Sequence, residues 1–574
     1  MRPSLSTNGL IVAATGALFV LLGTLLATWP LVALGILQIS SLLVLYLLFV
    51  PHAAMFRRRR LEFAWWIPAH EVPSGTLTVG QPVQLQLLFR NHSPLTVAAA
   101  ELTPICSSAL EIEGASGSTI QRSQARFRDA PSLRVRIPRT REVRFELSLL
   151  PRAAGHWFLQ GLALRLVDRF GIFVMHAYFP NRVGVKVFPP LALGAPLPLR
   201  PQTGTAHERA GPRLLRRRGL GSDLRELREH VPGDPFKRIA WKATARTGKL
   251  MVREHESEIL VTHQLLLDIS PSMRDGAPVG AQKLDTGLSL CAALARAAIE
   301  GGDRVGFSSF DTRLYQQLKP GEGPPQLYRT LERLLELHAV VDEDLTDMTD
   351  GELCSAVANY LAYQEGLDVR LPAPPERGST RWDDIVVGSA GELIDLRMTL
   401  REVERSLARQ PKRPTLHESS IRASKRSLAR LRRFCRLRGI ELPYRRSSLV
   451  ADKGDGMAEA LSAAAAARGS RFIVVVSDLL DIENPEVALE TLALAKRKRH
   501  SLLVLVPGQT HDDVGMSTHE RRIRNIVAMR RRREQKQLRR AIRALGVPVI
   551  DVASALEVYS VIRSLRGKQL RHSA

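Results

Sequence analysis

No charged residue separates Arg2 from Arg57, and that one run decides where the rest of the chain can fold. Residues 9–50 read GLIVAATGALFVLLGTLLATWPLVALGILQISSLLVLYLLFV. A bilayer-spanning helix takes about 20 apolar residues, so the run is too long for one helix and right for two. Trp29-Pro30 falls near its middle, where proline breaks a helix and tryptophan prefers the lipid–water boundary. The spacing predicts a helical hairpin with a very short connection. A cleaved signal peptide does not fit, because the run is too long and lacks a distinct small-residue cleavage site. Arginines at 57–60 follow the second helix and Arg2 precedes the first. Positive charge stays on the cytoplasmic side. The expected location is therefore the cell (inner) membrane, crossed by two helices, with the bulk of the chain in the cytoplasm.

The remaining length of a 574-residue chain is more than one core can hold. Four scattered cysteines, Cys106, Cys291, Cys354 and Cys435, argue against a disulfide framework or a zinc cluster and fit a reducing compartment. The net charge of +25 suits an acidic partner, nucleic acid or an anionic membrane surface. It also suits arginines spread over solvated faces.

After the hairpin and its basic flank (1–60), residues 61–200 alternate apolar and polar. Val83, Leu85, Leu87 and Phe89 interleave with Gln84, Gln86 and Arg90, and Leu133, Val135 and Ile137 with Arg134 and Arg136. Period two marks strands with one buried face, and short strands between turns predict a β-sandwich-like domain. Residues 255–574 change to strand–helix alternation. Leu265-Leu266-Leu267 and the runs 472–476 and 502–506 are continuous apolar strands, which predicts an α/β domain with a mainly parallel sheet covered on both faces. A segment at about 340–450 is larger than an ordinary loop. It is expected to be a helical insertion beside the sheet's ligand-binding edge, with Arg430, Arg432 and Arg433 available to an acidic surface.

Ligands of such sheets bind beyond the carboxyl ends of the strands. There the first strand runs into Asp268-Ile-Ser270-Pro-Ser272, and a later strand ends in Ser477-Asp478. Carboxylates and hydroxyls on one edge are the oxygen ligands that a hard divalent cation takes. Asp268, Ser270, Ser272 and Asp478 resemble the metal-ion-dependent adhesion site of the von Willebrand factor A domain. The resemblance implies bound Mg2+ or Mn2+ that accepts a carboxylate from a partner protein. That family's second loop gives a threonine. Here Asp455 holds the matching place, with Thr349 the other candidate.

Between the two domains, residues 201–254 form a linker. Pro232-Gly233-Asp234-Pro235 makes a tight turn, and Asp234 can cap the following helix. Ile239 and Trp241 are expected to anchor that helix. Arg228, Pro232, Gly233, Asp234, Arg238, Trp241, Arg246 and Arg253 closely resemble the signature of a bacterial family, domain of unknown function fifty-eight. Proteins of that family often accompany MoxR-type AAA+ ATPases, so the resemblance implies an adaptor that helps assemble or activate other proteins. The chain has no Walker A loop, no His-Glu-x-x-His and no Gly-x-Ser-x-Gly, and no enzyme is expected. Binding of nucleic acid or anionic surfaces, and an enzyme with an unrecognised site, are the alternatives.

Overall fold

A computed structural model describes residues 4–57, 61–68, 76–92, 97–113, 120–122, 131–137, 142–190, 214–258, 261–274, 278–338, 346–371, 385–408, 426–444, 452–508 and 529–552, apart from 169, 233, 235, 347, 467–468 and 530–532. The chain divides into two compact units. The first draws on Met1–Arg152, His156–Val187 and Ala339–Pro443, and the second on Ala153–Gly155, Phe188–His338 and Tyr444–Ala574.

In the first unit, helices Thr7–Leu25 and Trp29–Pro51 are long and apolar enough to cross a membrane. The chain reverses between them at Ala27, which takes a φ of 50°. Small residues let the helices approach closely, as association in lipid favours. A Cβ on Gly35 would stand 2.7 Å from the Gly16 carbonyl oxygen. Gln38 Nε2 donates to Val12 O at 3.0 Å and to Thr15 Oγ1 at 2.8 Å. At the open end of the hairpin, Ser4–Leu5 pairs with Phe173 and Val174, and Ser6 N donates to Ile172 O at 2.8 Å.

Two antiparallel sheets follow. One is ordered Ser4–Leu5, Phe173–Phe188, Gly155–Val167, Val97–Cys106, Pro131–Ile137, Ile120–Arg122, with Thr76–Thr78 beside Phe173–Phe188. The other is ordered Leu61–Trp66, Val83–Asn91, Glu142–Pro151, Leu110–Glu113. Along Val83–Asn91 the odd positions are buried and the even ones are at least partly exposed. The sheets meet through Phe63 and Phe89 of one against Phe179 of the other, and Trp65 Nε1 donates to Asn181 O at 2.7 Å.

The insertion, expected as part of the α/β domain, groups by its contacts with this first unit. Its helices Asp350–Tyr360, Leu396–Ala408 and Arg426–Arg438 bury Leu353, Val357, Leu431 and Phe434. It is tied to the strand Gly155–Val167 by Gln160 Nε2, which donates to Gly439 O at 3.1 Å. Arg182 donates to Leu437 O at 3.3 Å, and Ser108 N donates to Glu441 Oε1 at 2.9 Å. Arg432 is buried rather than available to a partner, and Arg430 pairs with Glu404.

The second unit holds a two-stranded antiparallel ribbon, Leu214–Glu229 with Met251–Glu258, and a six-stranded sheet. We label the latter's strands β1 (Thr262–Asp268), β2 (Arg304–Phe310), β3 (Leu314–Gly321), β4 (Phe472–Val476), β5 (Ser501–Pro507) and β6 (Val549–Val552). Their order is β3-β2-β1-β4-β5-β6. Only β3 runs antiparallel to its neighbour. Across the described residues as a whole, sheets are mixed and antiparallel pairings predominate. β4 is buried at every residue, as a strand covered on both faces requires. Helices Lys453–Ala465 and Pro485–Arg497, with Leu538 and Ile542, close one face.

Candidate functional site

The carboxyl ends of β1 and β4 lie side by side, because Leu267 pairs with Val476. That register brings Asp268, Ser270, Ser272 and Asp478 together. Ser270 N donates to Asp268 Oδ1 at 2.9 Å, and Ser477 Oγ donates to Asp268 Oδ2 at 2.6 Å. Ser272 Oγ donates to Asp478 Oδ1 at 3.0 Å and lies 3.1 Å from Ser270 Oγ. Asp268 and Asp478 are both fully buried. Leu479, just beyond, takes a φ of 57° while packing in the core. Such left-handed leucines cost free energy and persist only where the surroundings fix them.

Between the two carboxylates stands an ammonium. Lys453 Nζ lies 2.5 Å from Asp268 Oδ2, 2.8 Å from Asp478 Oδ1 and 3.1 Å from Ser272 Oγ. Its three N–H donors thus have three acceptors, and the side chain is 3% exposed. Lys283 Nζ holds the other oxygen, Asp478 Oδ2, at 2.8 Å, and donates to Ser272 O at 3.2 Å. Two lysines balance two aspartates. Burial alone pushes the Lys453 ammonium down and the Asp478 carboxyl up. The opposite charges overcome burial in both cases, so the lysine is held above its ordinary range and the aspartate below.

Helix Lys453–Ala465 reaches this position through glycine. A Cβ on Gly456 would fall 2.0 Å from Asp311 O, the residue after β2, so only glycine lets the helix start come that close. Asp452, just before the helix, accepts from Glu483 N at 3.0 Å and Asn484 N at 2.7 Å. That fixes the helix start to the loop after β4.

Asp455, expected as a ligand, is exposed two residues beyond Lys453 and does not join the cluster. Thr349 caps helix Asp350–Tyr360, its Oγ1 accepting from Glu352 N at 3.3 Å. Lys453 and Lys283, which sequence reasoning missed, do join. A signal existed for both. Each is the first residue of its helix, where the helix dipole disfavours a cation unless a carboxylate waits for it. The residues present therefore do not fit a resident Mg2+ or Mn2+. Lys453 Nζ already takes the oxygens that such an ion needs.

The signature segment forms a second constellation in the same unit. Arg228 Nη1 and Nη2 meet Asp234 Oδ2 and Oδ1 at 2.7 and 2.5 Å. The guanidinium, followed by Val231 N, which donates at 2.9 Å, holds the Asp234 carboxyl down at about 2. Ile239 and Val252 are buried and bridged. Trp241, expected as an anchor, instead is 55% exposed and packs edge-on against Phe236, which is 73% exposed. Val231, Leu250 and Leu227 are exposed too. Lys237, Lys242, Arg246, Lys249 and Arg253 lie exposed among them. Gly233 and the side chain of Arg238 lie outside the described residues, and Pro232 is exposed in the turn.

Residues 226–355 match the model of a protein family of unknown function, DUF58. The DUF58 match takes in the signature, the loop after β1 and Lys283, and ends before Lys453 and Asp478. A search of curated proteins finds no match. Among solved structures, a conserved hypothetical protein BatB from Bacteroides thetaiotaomicron aligns at 14% identity, covering 54% of this chain and 99% of that one, with a TM-score of 0.25. A cohesin module from a Clostridium perfringens family 33 glycoside hydrolase aligns at 11% identity, over 22% of this chain and 97% of that one, with a TM-score of 0.17. TM-scores this low carry no argument about what the chain does.

Proposed function

We propose that the chain is a membrane-tethered, non-enzymatic adaptor that docks a protein with an acidic surface on its DUF58 signature segment. The observation that carries this reading is the exposed Phe236–Trp241 pair set among five exposed cations. An aromatic anchor with a charged rim is the composition of a protein-binding hot spot, and the excess of positive charge selects an acidic partner. Resemblance to the family makes a MoxR-type AAA+ ATPase the partner to test. The strand order β3-β2-β1-β4-β5-β6 with one antiparallel edge supports reading the sheet as von Willebrand factor A-like. The basic flank of the hairpin supports a cytoplasmic bulk anchored in the inner membrane.

The experiment is surface plasmon resonance of the purified ATPase over the full chain held in nanodiscs. Phe236→Ala and Trp241→Ala are each expected to weaken binding about tenfold or more, mainly through faster dissociation. Lys242→Glu with Arg246→Glu is expected to slow association and flatten its salt dependence. Unchanged rates in both variants would sink the reading. Binding of arbitrary duplex DNA at this surface, falling steeply with salt, would reassign it to nucleic acid.

A further inference from the structure

We infer that Lys453 is a built-in cation that does permanently, at the edge of the α/β sheet, what a divalent ion would do there reversibly. The inference deepens the A-type reading of that sheet but does not depend on the partner, and its test uses no partner.

The geometry points to substitution rather than mere proximity. Asp268 ends β1, Asp478 comes from the loop after β4, and Lys453 from the start of a third element. One Nζ joins all three through Asp268 Oδ2, Asp478 Oδ1 and Ser272 Oγ. A cation between two carboxylates and a serine hydroxyl is what a metal would supply. The second loop here delivers it covalently. Nor do the remaining oxygens stand open. Asp268 Oδ1 accepts from Ser270 N, and Asp478 Oδ2 is held by Lys283. Burying two carboxylates with no counter-ion is strongly unfavourable, so some cation must sit here in the folded state. With Lys453 in place, the loops are joined whatever the divalent-ion concentration, and partner docking is not gated by Mg2+ or Mn2+.

Removing the ammonium should create the metal site that the native chain lacks. In Lys453→Ala, two carboxylates and the Ser272 hydroxyl face the space left by the side chain. Lys283 still opposes an ion there, so Lys453→Ala/Lys283→Ala should bind more tightly than the single variant. The probe is Mn2+ alone, titrated into the full chain and followed by loss of the free-ion paramagnetic resonance signal. Thermal unfolding is measured alongside. The native chain is expected to bind no more Mn2+ than its Asp268→Asn variant, with no shift in Tm. Lys453→Ala is expected to gain one equivalent, lost again on adding Asp268→Asn, with a Tm that climbs with the logarithm of Mn2+ concentration. An Asp268-dependent equivalent in the native chain would overturn the inference. So would a folded Lys453→Ala variant that binds no more than its Asp268→Asn counterpart. If Lys453→Ala fails to fold, the native comparison still decides. A charge-neutral Lys453→Met/Asp268→Asn/Asp478→Asn variant that folds without any ion would then support the counter-ion role.

Discussion

Arg228 and Asp234 are six residues apart, and two parallel hydrogen bonds join them across the turn of the signature. Bidentate pairing of this kind is geometrically specific, so Arg228→Lys is not conservative there. The Asp234 carboxyl is held down at about 2 by Arg228. A carboxyl whose folded value lies below its unfolded one adds stability above the unfolded value and loses it as pH falls through the folded one. Hydrogen-exchange protection of residues 228–252 should therefore decline between about pH 4 and the pH of about 2 at which the folded carboxyl titrates. In Asp234→Asn this decline should be absent, and a matching decline in that variant would exclude the pair as its cause. At this scale the sequence was readable where chemistry is local. The Asp-x-Ser-x-Ser loop and Asp478 converge because each ends a strand whose apolar run is unmistakable. Lys453 was legible only as a cation misplaced at a helix start, because its partners are carboxylates 185 and 25 residues away. Asp455 holds the place that matches the second-loop threonine, although the helix turns it to solvent.

Elements were legible wherever periodicity met burial. The strand Val83–Asn91 shows its period of two in both sequence and burial, and the turn between the apolar helices falls just before Trp29. The insertion's helices were also legible, but not what they pack against. Amphipathicity marks which face is buried and leaves the covering surface unnamed. Gly439 lies at that junction. Its φ is 69°, and there is no room for a side chain between it and the Phe158 ring. Gly439→Ala combines left-handed strain with overpacking, and should cost about 2–4 kcal/mol of first-unit stability. A urea titration followed by Trp65 and Trp157 fluorescence reads this out. A midpoint equal to that of the native chain would mean that the insertion is not packed against the strand Gly155–Val167 as described.

At the scale of the whole molecule, a tether, a sandwich carrying an inserted helical segment, and an α/β unit make one continuous chain. If both ends of the hairpin face the cytoplasm, alkaline phosphatase fused after Ala574 should be inactive and a fluorescent protein at the same place should glow. The converse pattern would reverse the proposed orientation and remove a cytosolic partner from consideration. Within the proposed orientation, two features separate this account from a metal-bridged adhesion mechanism. The docking surface is the signature segment, and the sheet edge supplies its own cation. Surface plasmon resonance of the MoxR-type ATPase over the full chain in nanodiscs, run in chelator and again in Mn2+, tests both together. The account predicts the same affinity in the two buffers for the native chain, and binding weakened about tenfold or more in both for Trp241→Ala. Binding that appears only with Mn2+, vanishes in Asp268→Asn and survives Trp241→Ala would contradict it.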